Sequence, residues 1–262
     1  IKLMQTAKEP LRIASAGILK SRASKELKEL AEKANIPVTM RLLGLGGFPT
    51  KHDLSLGMLG MHGTVYANYA TAEADLIIAA GIRFDDRITG NPDKFCKNAK
   101  IIHIDIDPAE IGKNKKPDVP IVGDLKQVIS ALNKEIAKDE KLYNHSEWIK
   151  QVQEWKKEYP VMYKAVPEDK LVPQEVLEEL DKIIKGNAII TTDVGQHQMW
   201  AAQYLSYENP DHMITSGGAG TMGFGMPAAV GAQIAMPDKK VISISGDGGF
   251  QMTFQELMML KQ

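Results

Sequence analysis

Apolar and polar positions follow two rhythms along this chain, one suited to strands and one to helices, and they take turns from about residue 10 to residue 138. Residues 13–17 read as a short strand and turn. Residues 24–34 place Leu27, Leu30, Ala31 and Ala34 on one helical face, with Glu29 and Lys33 spaced as a favourable ion pair. Asn35 and Pro37 end that helix. Strands recur at 75–79 and 101–105, and a small strand-like run follows at 120–123. Residues 125–136 close the unit as a helix with Val128, Ile129 and Leu132 inward. This alternation predicts a parallel sheet flanked by helices.

Residues 139–172 break the rhythm. They are charged, rich in aromatics and punctuated by Pro160 and Pro167, and they predict a helical linker. Within them Trp148, Val152, Trp155 and Tyr159 recur at helical spacing, as on a helix packed between domains. From Pro173 a second α/β unit begins, with a helix at 174–184, a strand at 188–192, a glycine-rich region and a last strand. The predicted organisation is therefore a domain over 1–138, a linker over 139–172 and a second domain over 173–262. No internal repeat or low-complexity tract is present.

The last strand leads to the most telling chemistry, in Val241-Ile-Ser-Ile-Ser-Gly-Asp-Gly-Gly-Phe250. Val241, Ile242 and Ile244 predict a buried strand, with Asp247 at its carboxyl end, where ligands bind in open α/β sheets. Gly246, Gly248 and Gly249 leave room for a phosphate at the backbone. Thr253 and Glu256 have capping-box spacing and predict a helix start there. One carboxylate, an open turn and a helix N-terminus suit a magnesium ion holding a diphosphate. An ordinary strand–turn–helix corner fits the same residues.

Composition narrows the class. The chain has 262 residues, 44% apolar and 25% charged, as in globular proteins. A net charge of −1 gives no footprint for nucleic acid or an anionic membrane. Cys96 is the single cysteine, which rules out an internal disulfide and suits a reducing compartment, the cytoplasm or an organelle stroma. Both ends read as interruptions, without an initiator methionine at Ile1 and with Met258 to Gln262 inside a helical pattern. A fragment of a longer chain is the expectation.

Other glycine clusters and carboxylates are further candidates, most of them with two readings. Gly217-Gly-Ala-Gly-Thr-Met-Gly-Phe-Gly-Met-Pro227 contains a formal G-x-G-x-x-G, but no convincing strand leads in and no acidic partner follows at the usual interval. It suits either backbone approach to a ligand ring, with Met222 as an apolar support, or tight helix–sheet packing. Gly57-Met-Leu-Gly-Met-His-Gly63 precedes a possible helix from Thr64 and is a candidate cofactor loop, or else a structural turn with a satisfied His62. Gly44-Leu-Gly-Gly47 reads as a flexible turn. Asp105 and Asp107 end a strand on one face, where acidic residues accept from ribose hydroxyls. Asp124 is a similar acceptor or a helix N-cap. Arg83-Phe-Asp-Asp-Arg87 is a surface ion-pair patch or an arginine fork for a substrate carboxylate. No G-x-S-x-G, H-E-x-x-H, C-x-x-C or Walker A pattern occurs.

Together these stretches resemble the catalytic subunits of the acetolactate synthase family, thiamine-diphosphate enzymes that also carry FAD. The resemblance rests on residues 54–69, on Arg83-Phe-Asp-Asp-Arg-Ile-Thr-Gly90, on His103-Ile-Asp-Ile-Asp-Pro-Ala-Glu-Ile-Gly112 and on Gly195-Gln-His-Gln-Met-Trp200. It implies a central Rossmann-like FAD-binding domain followed by a partial thiamine-diphosphate-binding domain. It further implies that Gly195, Gln196, His197, Gly248 and Gly249 hold the diphosphate and that Asp247 binds Mg2+. Gly220 meets the aminopyrimidine and Met222 props the bent cofactor. FAD is expected along Leu59, Met61, His62, Arg83, Asp105, Ile106, Glu110, Gly123, Asp124, Gln198 and Met199, with Arg87 facing the second substrate's carboxylate.

The implied reaction decarboxylates pyruvate and joins its two-carbon unit to a second 2-oxo acid, pyruvate or 2-oxobutyrate, in branched-chain amino-acid synthesis. The implied assembly is a homo-oligomer that can add a regulatory small subunit. The isolated fragment is expected to be inactive. Glyoxylate carboligase, pyruvate oxidase and a non-catalytic nucleotide-binding fragment are the alternatives. Five positions depart from the family pattern: Ser15 and Ala16 replace glycines, Arg41 stands where a threonine is expected, Arg12 interrupts the first strand, and Arg22 occupies a usual glycine position.

Overall fold

A computed structural model describes residues 1–138, 143–164, 167 and 170–261. Residues 139–142, 165, 166, 168 and 169 of the expected linker, and Gln262 at the expected helical end, lie outside the described residues. The chain forms two compact units, Ile1–Pro160 and Val161–Gln262.

The first unit runs α1 (Lys2–Thr6), β1 (Pro10–Ala14), α2 (Ala16–Lys20), α3 (Ser24–Ala34), β2 (Val38–Met40), β3 (Ser55–Met58), α4 (Val65–Glu73), β4 (Leu76–Ala80), α5 (Asp86–Thr89), β5 (Lys100–Asp105), β6 (Val119–Val122), α6 (Leu125–Ile136) and α7 (Ser146–Glu158). Its six strands pair in parallel in the order β3-β2-β1-β4-β5-β6. This is a doubly wound sheet whose order reverses between β1 and β4, the place where such sheets open a crevice at their carboxyl ends.

Local chemistry sets the helix limits. The buried face of α3 is Leu27, Leu30, Ala31 and Ala34, and Asn35 stops the helix in the left-handed region at φ 46°. The Glu29–Lys33 pair forms at 2.9 Å. Thr64 caps α4 by accepting from the Ala67 amide at 3.2 Å, and Asp124 caps α6 by accepting from Gln127 at 3.0 Å. Arg22 adopts φ 53°, which explains why a glycine suits that position.

Several expectations are corrected. Residues 13–17 are not one strand and turn: β1 starts at Pro10, and Ala16 and Gly17 already belong to α2. Strands β2 and β3 arise where no periodic signal was present. The stretch from Gly44 to Gly47 does turn, at Leu45 and Gly46, but the turn is buried and closely packed: a Cβ on Gly44 would lie 2.8 Å from the Ser15 Cα. The aromatic stripe of α7 buries Trp148 and Val152 in the first unit's own core beside Leu11, Ile13, Ile77 and Ala79, and the Trp148 indole donates to the Pro10 carbonyl at 3.0 Å.

The second unit runs α8 (Pro173–Ile184), β7 (Ile189–Thr192), α9 (Gln196–Tyr204), β8 (Met213–Thr215), α10 (Gly225–Ala235), β9 (Val241–Ile244) and α11 (Asp247–Thr253), then a 3-10 segment, Phe254–Lys261. Its parallel sheet has the order β8-β7-β9. Three further corrections apply. A short strand, β8, does lead into the glycine run at 217–227. Strand β9 is half-exposed rather than buried, because it pairs only with β7 among the described residues. The helix after the turn begins at Asp247, not at a capping box on Thr253, because the Thr253 hydroxyl donates to the Gly223 carbonyl at 3.0 Å. No described helix is long and apolar enough to cross a membrane.

Candidate cofactor sites

In the second unit, the ends of β7 and β9 and the loop after β8 converge. Strand β7 leads through Asp193 and Val194 to Gly195, the N-cap of α9, and β9 leads to Gly246, the N-cap of α11. The His197 ring lies against both turns. A Cβ on Gly195 would sit 2.9 Å from its Cε1, and one on Gly246 would sit 3.1 Å from the same atom. His197 Nε2 is buried without a hydrogen-bond partner, a polar atom that an anion oxygen would satisfy. From the glycine loop, Met222 reaches the same place: a Cβ on Gly248 would lie 3.1 Å from its Cε. Gly220, at φ 64°, packs beside Val194. Met222 remains 45% exposed, so its apolar end is available to a ligand.

Asp247 is exposed at the first turn of α11. No group of three or more His, Cys, Asp or Glu side chains among the described residues is placed to hold a metal. A cation here would need oxygens from a bound diphosphate beside Asp247, an arrangement usual for magnesium. Gly249 packs on the Asp193 carboxylate so closely that any Cβ would overlap it. Gln198 is buried, its amide donating to the Thr215 hydroxyl at 2.7 Å and the Ser216 carbonyl at 3.2 Å. Met199 is half-buried on the same helix.

The first unit opens a cavity of about 570 Å3 at its switch point. Ser15, Ala16 and Gly17 after β1, Gly81 after β4, and Asp105 with Ile106 after β5 line it, together with Arg83, Glu110 and Asp124. Gly17 and Gly81 bring two backbones together, since a Cβ on either would lie 2.8 Å from the other's Cα. One Asp105 oxygen accepts from the Asp107 amide at 3.0 Å. Gly123 follows β6 and donates its amide to the Asp105 carbonyl at 2.9 Å. Arg41 lines the cavity and pairs with Asp85 at 2.6 Å, which takes Asp85 out of the expected ion-pair patch with its sequence neighbours.

Leu59, Met61 and His62 do not line this cavity. They lie on the loop between β3 and α4, which packs against the backbone of Arg87: the Met61 amide donates to the Arg87 carbonyl at 3.2 Å. Leu59 is buried there, and Met61, His62 and the Arg87 side chain are exposed. Lys20, Ser21 and Asp193 join these sites without any motif to announce them. Asp193 directly follows β7, which is its only sequence signal, whereas Lys20 and Ser21 close α2 and carry none.

Two family profiles match the chain: "Thiamine pyrophosphate enzyme, central domain" over residues 1–132 and "Thiamine pyrophosphate enzyme, C-terminal TPP binding domain" over residues 193–262. The chain belongs to the thiamine pyrophosphate enzymes. Within that class it is similar to acetolactate synthases. A probable acetolactate synthase large subunit of Methanococcus aeolicus is 52% identical over 98% of this chain and 45% of its own length. Acetolactate synthase 1, chloroplastic, of Nicotiana tabacum is 49% identical over 100% of this chain and 39% of its own. The acetolactate synthase large subunit of Buchnera aphidicola is 46% identical over 100% of this chain and 46% of its own. The chain thus spans less than half the length of these curated relatives.

Proposed function

We propose that this chain supplies the central and diphosphate-holding parts of an acetolactate synthase. The observation that carries the reading is the meeting of His197, the turn from Gly246 to Gly249, Gly220 and Met222 at one set of strand ends. The polar donors, close backbone approach and apolar support found there fit thiamine diphosphate. When bound, that cofactor supplies the electron sink for loss of carbon dioxide from a 2-oxo acid. The backbone at Gly195, Gln196, Gly248 and Gly249, with the His197 ring, holds the diphosphate, and Asp247 holds Mg2+ beside it. Gly220 presents backbone to the aminopyrimidine, and Met222 supports the cofactor from its apolar side.

The cavity of the first unit is assigned to FAD. Asp105, Glu110 and Asp124 suit ribose hydroxyls, while Lys20 and Arg83 suit phosphate. Ile106 lines the same cavity, and Gly123, whose amide bonds the Asp105 carbonyl, stands at the adjacent strand end. Leu59, Met61 and His62 serve the flavin from a loop of the first unit outside that cavity. The proposed FAD domain takes in α7 and so extends beyond the expected 1–138 to Pro160, and the diphosphate domain is 173–262. Pyruvate and a second 2-oxo acid, pyruvate or 2-oxobutyrate, give an acetohydroxy acid and carbon dioxide without net redox change, so the flavin has a structural role. Arg87 faces the acceptor's carboxylate. The test supplies pyruvate, thiamine diphosphate, Mg2+ and FAD to the full-length protein. Acetolactate is expected, and a different ligation product or failure to bind thiamine diphosphate would overturn the reading.

A further inference from the structure

Asp193 is fully buried at the end of β7, between the two pieces of chain assigned to the cofactor. Its Oδ1 accepts from the amides of Val194 at 2.8 Å and Gly223 at 3.0 Å, and its Oδ2 accepts from Gly223 at 2.9 Å and Gly225 at 3.0 Å. Its own amide donates to the Ile244 carbonyl at 2.9 Å, which ties β7 to the strand that delivers Asp247. Gly249 rests its backbone on the same carboxylate.

A buried carboxylate is costly unless it is hydrogen-bonded, and bonds from amides to a charged acceptor are about twice as strong as neutral ones. The segment held in this way is one that glycine leaves free: Gly218, Gly220 and Gly223 all adopt positive φ, at 81°, 64° and 91°. Without an anchor, such a loop would not keep Met222 against Gly248. Thr253 secures the same loop from the other side through the Gly223 carbonyl.

We infer that Asp193 is a positioning residue for thiamine diphosphate: it locks the loop at Gly223 and Gly225 so that Gly220 and Met222 face the turn around Asp247. This rests on the cofactor assignment above. The discriminating substitution is Asp193→Asn, which keeps the shape but turns an amide donor toward the backbone donors. Thiamine diphosphate affinity, measured by equilibrium dialysis with Mg2+ on the full-length protein, should fall at least about tenfold, the scale of one charge-assisted hydrogen bond. Flavin content should stay unchanged. At saturating cofactor kcat should also fall, with the pyruvate KM within about twofold.

A purely structural role would lower the number of binding sites and leave the Kd of the folded remainder as it was, and that result would overturn the inference. Absence of binding by the unsubstituted protein would instead overturn the cofactor assignment. If Asp193→Asn does not fold, Thr253→Val carries the test, with affinity expected to weaken roughly threefold or more. An unchanged Kd there overturns the inference equally.

Discussion

Arg12 stands at the centre of an apolar sheet, and replacing it should stabilise the protein. Strand β1 is an interior strand, and the register places Val38 and Ile78 beside Arg12. Its side chain is 1% exposed, and none of its three guanidinium nitrogens has a hydrogen-bond partner. Burial alone pushes the guanidinium down from its ordinary 12.5 to about 9. At about 1.4 kcal/mol per pH unit, that depression corresponds to a cost of about 5 kcal/mol for keeping the charge inside at neutral pH. Arg12→Met removes the charge and keeps an unbranched side chain, while the lost volume returns about 1–2 kcal/mol as a cavity cost. The net gain should be about 3 kcal/mol.

The sign with pH follows from linkage. Between pH 9 and 12.5 the unfolded chain holds the proton more tightly than the folded one, so folding stability rises with pH through that window. Below pH 9 the penalty is fully present. The advantage of Arg12→Met should therefore be constant from pH 6 to 8 and shrink above about pH 9. Urea unfolding followed by tryptophan fluorescence suits the measurement, since Trp148 and Trp155 both lie in the first unit. A midpoint for Arg12→Met no higher than the parent's at equal slope would refute the reasoning. So would an equal gain from Arg12→Lys, which keeps a charge in the same place.

Other substitutions test other parts. Arg41→Thr frees the cavity of the Arg41–Asp85 pair and should raise FAD affinity by about tenfold, read by equilibrium dialysis; unchanged affinity would remove Arg41 as the obstacle. Asp247→Ala should abolish the Mg2+ dependence of thiamine diphosphate binding and weaken it by about a hundredfold, and retention of that dependence would place the metal elsewhere. Arg87→Ala should lower kcat/KM at least about tenfold with both pyruvate and 2-oxobutyrate, and rates near the parent's would free Arg87 of any acceptor role. Arg22→Gly should gain about 1 kcal/mol by relieving a left-handed residue, measured by thermal unfolding, and a loss would contradict the strain. Burial pushes the Cys96 thiol up from its ordinary 9.0 to about 12, so at pH 8 its thiolate should be about a thousandfold scarcer than in the unfolded chain. Alkylation of the native protein as fast as of the unfolded one would show that the core opens.

Where the sequence pattern succeeded, the information was local. Helix α3 carries the expected apolar face and stops at Asn35, and α6 starts at its cap Asp124. Of the residues expected inward on α6, however, only Ile129 is buried, Val128 and Leu132 being half-buried while Leu125, Asn133 and Ile136 fill the inner face. Strand β2 has three residues, all buried, and β3 contains Gly57 at positive φ, so neither shows a period. The capping-box spacing at Thr253 lost to a tertiary partner, the Gly223 carbonyl, thirty residues away. Arg12 reads locally as a polar interruption of a strand. It becomes a buried charge only because β2 and β4 flank β1 on both sides.

The same distinction governs the candidate sites. Asp105 and Asp247 could be picked out because a chain leaving a buried strand must turn there, and polar residues with glycines mark the exit. What completes each site comes from the exit of a neighbouring strand, and the neighbours are set by sheet order rather than chain order. Asp105 shares its cavity with Ser15, Lys20 and Ser21 because β1 and β5 both flank β4. Asp193 reaches the glycine loop and the turn at Asp247 because β7 lies between β8 and β9. In Thr191-Thr-Asp-Val-Gly195 that carboxylate looks like any turn residue, since the amides that claim it lie 30 and 32 positions onward. The rim of a doubly wound sheet is thus legible one strand end at a time, whereas the pairing of ends that makes a binding site follows from parallel topology, which residue periodicity does not encode.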